Sequence, residues 1–344
     1  VRSRGLGDVY KRQSFNTATG WMEVQKRIRK SNNWERMIKI LSYAAAVLVP
    51  VFFVGISLKY TTHDYFSNKS VLIAQPILPG AAKAILTLDN GETINLNKET
   101  ADALQTIEGT NIQIDSTTLN YQLAQSTSVS PKPVYNKVEI PRGGEYALVL
   151  SDGTKVHLNS MSSLRFPVAF TTGKREVELQ GEAYFEVSKT GQPFIVNANG
   201  IQVEVLGTTF NISAYPDEEY QTTLVNGSVK VSAEKGESLI LKPSQQATIA
   251  LGSNSIQVRT VDTSFYTSWV KGKINFKDQR LEDIMKTLSR WYDMNVVYEN
   301  EKLKNIRFGC NLNRYEEITP FVKLLEKTEE VHVKIEGNTI TFHN

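Results

Sequence analysis

Bond chemistry in this chain would have to come from four histidines, one cysteine and a few carboxylates and glycines at suggestive spacings. His63, His157, His332 and His343 stand far apart in sequence, with no H-x-x-x-H or C-x-x-C pattern, which argues against a metal site. Cys310 has no partner for an intramolecular disulfide and reads as a small buried hydrophobe rather than a reactive thiol. Glu182 and Glu186 invite comparison with a glycosidase pair. Four residues apart on a strand, they would share a face at about 13 Å, wider than glycosidase carboxylates stand. Gly143-Gly144 and Gly181-Glu182 resemble fragments of a phosphate loop. Neither lies between a strand and a helix, so each reads as a turn or bulge. No nucleophile elbow, P-loop or dinucleotide fingerprint occurs. The expectation is a protein that is not an enzyme, with no cofactor and no metal.

The 344 residues are enough for two or three domains. Their formal net charge of +3 is unevenly spread. Residues 1–39 hold ten Lys/Arg against three Asp/Glu, so the rest of the chain is mildly acidic. An acidic body is a poor ligand for nucleic acid, and the basic excess points to a membrane instead.

Ile40–Leu58 reads ILSYAAAVLVPVFFVGISL, a run without a charge. As a helix it would be about 28 Å long, against about 30 Å of hydrocarbon. Lys26, Arg27, Arg29, Lys30, Arg36 and Lys39 precede it, and Lys59 and Lys69 follow. The positive-inside rule then places the head in the cytoplasm and the body beyond the membrane. VRSRGLGDVYKRQ, which does not begin with Met, resembles translated sequencing-adapter read-through. Residues 1–13 are therefore read as non-native sequence and 14–39 as a truncated cytoplasmic head. The expected span is 40–58, followed by a linker at 59–80.

Beyond the linker β patterns dominate. AILTLDNGETINLN (84–97) alternates around Asn90-Gly91, and YALVLSDGTKVHLN (146–159) repeats the pattern around Asp152-Gly153. These read as one reused hairpin. Short strands are expected at 177–179, 183–187, 194–196, 203–206, 210–214, 222–224, 228–232, 239–241 and 247–249. They form an all-β domain over 81–262, a sandwich or a β-solenoid-like stack. Residues 100–135 read as a polar insertion with weak strands. Within 263–344 the period changes. Leu281, Ile284, Met285, Leu288, Trp291 and Tyr292 mark one helix face, and Ile318, Phe321, Val322 and Leu325 a second. The order β-α-β-β-α-β-β predicts a small α+β domain with its helices against one sheet. The fold class is thus mainly β plus a small α+β domain behind one membrane helix.

IPRGGEYALVLSDGTKVHLNSMSSLRFP (140–167), REVELQGEAYFEVSK (175–189), PFIVNANGIQVEVLGTTFNISAY (193–215), TTLVNGSVKV (222–231) and LKPSQQATI (241–249) resemble the FecR family of anti-sigma factors in its Bacteroidetes form. INFKDQRLEDIMKTLSRWYDMNVVYENEKLKNIRFGC resembles that family's C-terminal domain, itself similar to the short signalling domain of secretins and TonB-dependent transducers. WMEVQKRIRK followed by YAAAVLVP resembles the family's head and span.

The resemblance implies a single-pass inner-membrane protein with a periplasmic body. A TonB-dependent outer-membrane transporter would present its signalling domain to the C-terminal domain. The signal would free an extracytoplasmic-function sigma factor held by the head, through site-specific proteases. The terminal domain could offer a sheet edge for pairing with a similar domain. Trp21, Val24, Ile28 and Trp34 could form the stripe that contacts the sigma factor, or anchor the head at the membrane interface. The alternative function is a membrane-anchored periplasmic module that binds carbohydrate or peptidoglycan.

Overall fold

The computed structural model describes residues 77–96, 113–114, 117–121, 133–170, 173–234 and 236–344, together with Met22 and Gln25. The chain divides into two compact units at Ser70/Val71, and the architecture below is that of the second. Among the described residues no helix is long and apolar enough to cross a membrane. The expected span at 40–58 and the head residues Trp21, Val24, Ile28 and Trp34 lie outside the described residues.

Strands β1 (Ala81–Ala82), β2 (Ala84–Thr87), β3 (Thr93–Leu96), β4 (Gln113–Ile114), β5 (Thr118–Asn120), β6 (Tyr135–Ile140), β7 (Gly144–Val149), β8 (Lys155–Leu158) and β9 (Ser162–Pro167) lead to a long strand, β10 (Arg175–Glu186). After it come β11 (Phe194–Ala198), β12 (Ile201–Val205), β13 (Thr209–Ala214), β14 (Tyr220–Asn226), β15 (Val229–Ser232), β16 (Ser238–Leu241), β17 (Gln245–Ile249) and β18 (Gln257–Thr260). One sheet runs β3-β2-β6-β9-β10-β11-β12-β15-β16. The other runs β4-β5-β7-β8-β10-β13-β14-β17-β18.

Alternating residues of both sheets meet in a single core. Leu86, Val138, Leu164, Phe194 and Val203 come from the first sheet, and Leu148, Val156, Phe185, Phe210 and Leu224 from the second. Burial with period 2, which runs the whole length of β10, is what a two-layer sandwich requires. Of the two stacks the sequence allowed, the structure is the sandwich.

β10 belongs to both layers. It pairs β9 up to Gln180 and β13 from Gly181 onward. The two strands expected at 177–179 and 183–187 are therefore one. Gly181 bends it with φ 86°, and a Cβ there would sit 2.5 Å from Ser162 Oγ and 2.8 Å from the Met161 carbonyl. Only glycine permits the crossing without strain.

The hairpin repeat holds down to its hydrogen bonds. Leu86 faces Ile94 in β2–β3, as Leu148 faces Val156 in β7–β8. Leu88 N–H donates to Glu92 O at 2.9 Å and Gly91 N–H to Leu88 O at 2.9 Å; Leu150–Thr154 and Gly153–Leu150 repeat both distances. Gly91 and Gly153 are left-handed, at φ 84° and 81°. Asn90 and Asp152 are not, so the turn is a type I turn closed by a glycine bulge rather than the tightest two-residue hairpin. The two copies lie in opposite sheets.

Besides the two-residue β1, three strands escaped the sequence reading. β6 carries a buried Asn136 where alternation demands an apolar residue, and its Nδ2 donates to Tyr121 Oη at 2.7 Å. β9 is half polar and ends on Pro167, and β18 is exposed along its whole length. Pattern reading has nothing to hold in such strands.

A short helix α1 (Ser264–Thr267) and a 3-10 turn (Ser268–Lys271) lead into the C-terminal domain. There β19 (Lys273–Arg280), α2 (Leu281–Trp291), β20 (Asn295–Tyr298), β21 (Arg307–Asn313), α3 (Thr319–Glu326), β22 (His332–Glu336) and β23 (Thr339–His343) follow the predicted order. The prediction of one sheet was wrong. β19 pairs β21 alone, and β20-β23-β22 form a separate three-stranded sheet, both sharing one core with the helices. Alternation marks which residues are buried, but strand pairing is non-local and leaves no mark on a single strand.

Candidate functional site

The helix α2 amphipathic face, Leu281, Ile284, Met285, Leu288 and Trp291, fills the C-terminal core. Its last turn does something else. The terminal carbonyls of a helix lack intrahelical partners, and here the sandwich supplies them. Gly143 N–H donates to Arg290 O at 2.7 Å. Arg142 Nη2 donates to Ser289 O at 3.0 Å and to Met294 O at 2.5 Å, with Nε 3.0 Å from the Asp293 carboxylate. A cation at a helix C-terminus also complements the macrodipole. The Arg142-Gly143 turn, expected as a turn rather than a phosphate loop, is thus a helix-capping clamp.

A second set of contacts is deeper. β19–β21 pairing ends at Lys273 opposite Asn313, and Arg314 N–H returns to Gly272 O at 2.9 Å. That geometry sends the Arg314 side chain, 1% exposed, into the seam between the domains. Its Nη1 donates to Trp269 O at 3.1 Å and its Nη2 to Asn159 Oδ1 at 2.9 Å. The guanidinium stacks 3.7 Å over the Trp291 ring and lies 3.4 Å from Glu145 Oε2.

Asn159 Nδ2 donates in turn to Glu182 Oε2 at 2.7 Å, and Asn211 Nδ2 to Glu182 Oε1 at 3.0 Å. Trp269 Nε1 donates to Asn211 Oδ1 at 3.1 Å. The bonds close a ring from Arg314 through Asn159, Glu182, Asn211 and Trp269 back to Arg314. Further contacts lie beside it, three of which cross between the domains. Arg290 forms an ion pair with Glu218 and lies 3.9 Å over the Tyr215 ring, and Tyr215 Oη donates to Ser160 O at 2.8 Å. Trp291 Nε1 donates to Arg314 O, and Tyr315 Oη to Glu145 Oε1 at 2.9 Å.

Burial pushes the Glu182 carboxyl above its ordinary value, against the opposing pull of Asn211, Asn159, Arg290 and Arg314. The side chain borders a polar cleft of about 660 Å³ that β19 also lines. Both Glu182 oxygens are taken by amides that rest on the neighbouring domain, so the arrangement fixes a relative position of two domains.

The other candidates fall away from this seam. Glu182 is not the solvated strand carboxylate the sequence suggested, whereas Glu186 is exposed. Burial lowers the His157 value, and its ring meets Tyr184 at 6.3 Å. His332 and His343, remote in sequence, face each other across β22–β23 with ring centres 5.6 Å apart. Among the described residues no group of three metal-ligating side chains forms. Cys310 is half-buried against the C-terminal core, its thiol pushed up to about 11 by burial. Met285 is a core residue as expected, while Trp291 serves both the core and the seam. Asn159, Asn211 and Arg314 were not singled out from sequence. Their only signal was a polar side chain beside a strand of otherwise regular alternation.

Comparison with known proteins finds both parts of this body. The family described as FecR protein matches residues 136–230, and that described as FecR, C-terminal, matches 273–342. Two crystal structures of a candidate anti-sigma factor from Parabacteroides distasonis, at 1.65 and 2.50 Å resolution, superpose with TM-scores of 0.56. They are 26% and 25% identical to this chain, covering 60% and 61% of it and 98% and 99% of their own lengths. No curated protein matches. With its sandwich and its docked C-terminal domain both matched, in that order, the chain belongs to the FecR family.

Proposed function

We propose that this chain is a single-pass inner-membrane anti-sigma factor that relays a signal from a TonB-dependent outer-membrane transporter to an extracytoplasmic-function sigma factor. The observation that carries the proposal is the seam. A FecR sandwich and a FecR C-terminal domain are joined by buried, directional bonds, so a load applied to the second is transmitted to the first. Energetically, a buried charge such as Arg314 left without its partners is costly, which makes docking specific.

In this reading the C-terminal domain receives the transporter's periplasmic signalling domain. The charge-free run at 40–58 crosses the membrane, the basic head holds the sigma factor, and Trp21, Val24, Ile28 and Trp34 contribute the contact. Site-specific proteases complete release. The reading assigns no catalysis to the chain itself.

The test is a pull-down of the full chain in detergent against transporter signalling domains and sigma factors encoded in the same genome. The expected result is one specific partner from each class. Binding to neither class, with the chain folded, overturns the proposal.

A further inference from the structure

Between Ile77 and Ala84 the chain changes domain. Ile77 is 4% exposed and packs in the C-terminal core, while Ala84, 3% exposed, packs in the core of the sandwich. The segment between them is held from both sides. Ala81 N–H donates to Gly143 O at 3.0 Å and Lys83 N–H to Glu145 O at 3.2 Å, laying β1 parallel to β7. Gly80 is threaded between the domains: a Cβ there would sit 2.7 Å from Gly143 O and 2.7 Å from Trp291 Cε3.

One residue joins the two sets of contacts. Gly143 gives its N–H to Arg290 O on α2 and its carbonyl to Ala81 N–H. The pairing of β1 with β7 covers only Ala81 and Ala82, too short to persist without help. Ala82 rests on the sandwich core, but the rest of the help comes from Ile77 and Trp291, and both need the C-terminal domain in place.

We infer that Ile77–Lys83 is a strap, clamped while the C-terminal domain is docked on the sandwich and freed when it is not. The strap takes in the end of the segment expected as a linker (59–80), so undocking changes the restraint on the described residues nearest the expected span. A partner need not touch the strap to act on it; it need only displace the C-terminal domain. The inference rests on contacts within the described body, and its failure leaves the proposed partners untouched.

The experiment is hydrogen–deuterium exchange on the full chain in detergent micelles, resolved to single amides. Arg314→Ala breaks the seam at Asn159 and Trp269 and also removes the stack on Trp291, the side chain against which Gly80 lies. The amides of Gly143, Ala81 and Lys83 are expected to speed up together, by about tenfold or more, with Leu148 unchanged. Opening of Gly143 with Ala81 and Lys83 still protected overturns the inference. If Leu148 also loses protection the sandwich itself has unfolded, and Arg142→Ala, which removes only the α2 capping contacts, is read by the same criterion. Gly80→Val wedges the strap against Trp291 and must free Ala81, Lys83 and Gly143 alike. Wild-type rates at Ala81 and Lys83 in all three variants overturn it as well.

Discussion

Glu182 and Arg314 are the residues on which the seam turns, because both Glu182 oxygens and both terminal nitrogens of Arg314 are held by directional partners. A glutamine amide in place of Glu182 has one accepting oxygen where the carboxylate has two, so it cannot receive both Asn159 and Asn211. Glu182→Gln is expected to cost about 1–3 kcal/mol in urea unfolding of the full chain. The pH dependence has a definite sign. Burial raises the folded value of Glu182, so between the ordinary glutamate range and that raised value the folded state keeps a proton the unfolded state gives up. Stability from this group is therefore complete at low pH and declines as pH rises through the window; the glutamine variant should show a flatter profile there. A second contrast lies within the sandwich. Arg175 and Asp152 form an ion pair at 2.6 Å with side chains 2% and 7% exposed, whereas Arg165–Glu178, at 3.0 Å, is 43% and 59% exposed. Arg175→Ala strands a buried carboxylate and should cost about 3–5 kcal/mol, and Arg165→Ala under about 1 kcal/mol. Chemical denaturation of both variants checks the ordering.

At the scale of elements, the reused hairpin and the continuous strand β10 carry the design. The hairpin's glycines sit in the left-handed region, where a side chain on Cα costs about 1–2 kcal/mol. Around Gly91 there is open space for a Cβ, so the loss from Gly91→Ala is purely conformational. Gly153→Ala should lose a similar amount, because the turn is the same; thermal melts of the two variants should shift together. Both hairpins were legible because their alternation is regular and their turns carry Asn-Gly or Asp-Gly. β6 was not, because Asn136 stands at a core position and is satisfied by Tyr121, a residue from a stretch read as insertion. Such a partner is invisible until the chain has folded. Helices α2 and α3 were read from their faces with little error, since helical period is a local property.

At the scale of the whole molecule the two domains should behave as one cooperative unit, because the seam buries charge and closes a ring of hydrogen bonds across it. Arg314→Ala removes the bonds to Asn159 and Trp269 and the stack on Trp291 together. The expected outcome in calorimetry is a single transition in the wild type that separates into two in the variant, the C-terminal domain melting first. A single transition merely shifted to lower temperature would mean that the domains are held by other contacts. Coupling of this kind is what the proposed relay requires: a pull on the small domain is felt by the sandwich and by the strap together, without any chemistry at the site.

The sequence by itself determined the composition of the parts: a basic head, a charge-free run, a β body with a duplicated hairpin, and a β-α-β-β-α-β-β tail whose motifs resemble one family. These follow from local patterns of charge, period and turn residues. Tertiary structure alone decided that β10 serves both sheets, that the tail has two sheets rather than one, and that Asn159, Glu182, Asn211, Trp269 and Arg314 meet. The reason is physical. Burial period is written in neighbouring residues, but strand partners and the closure of a polar ring depend on groups far apart in the chain, whose meeting is fixed only when both cores have formed.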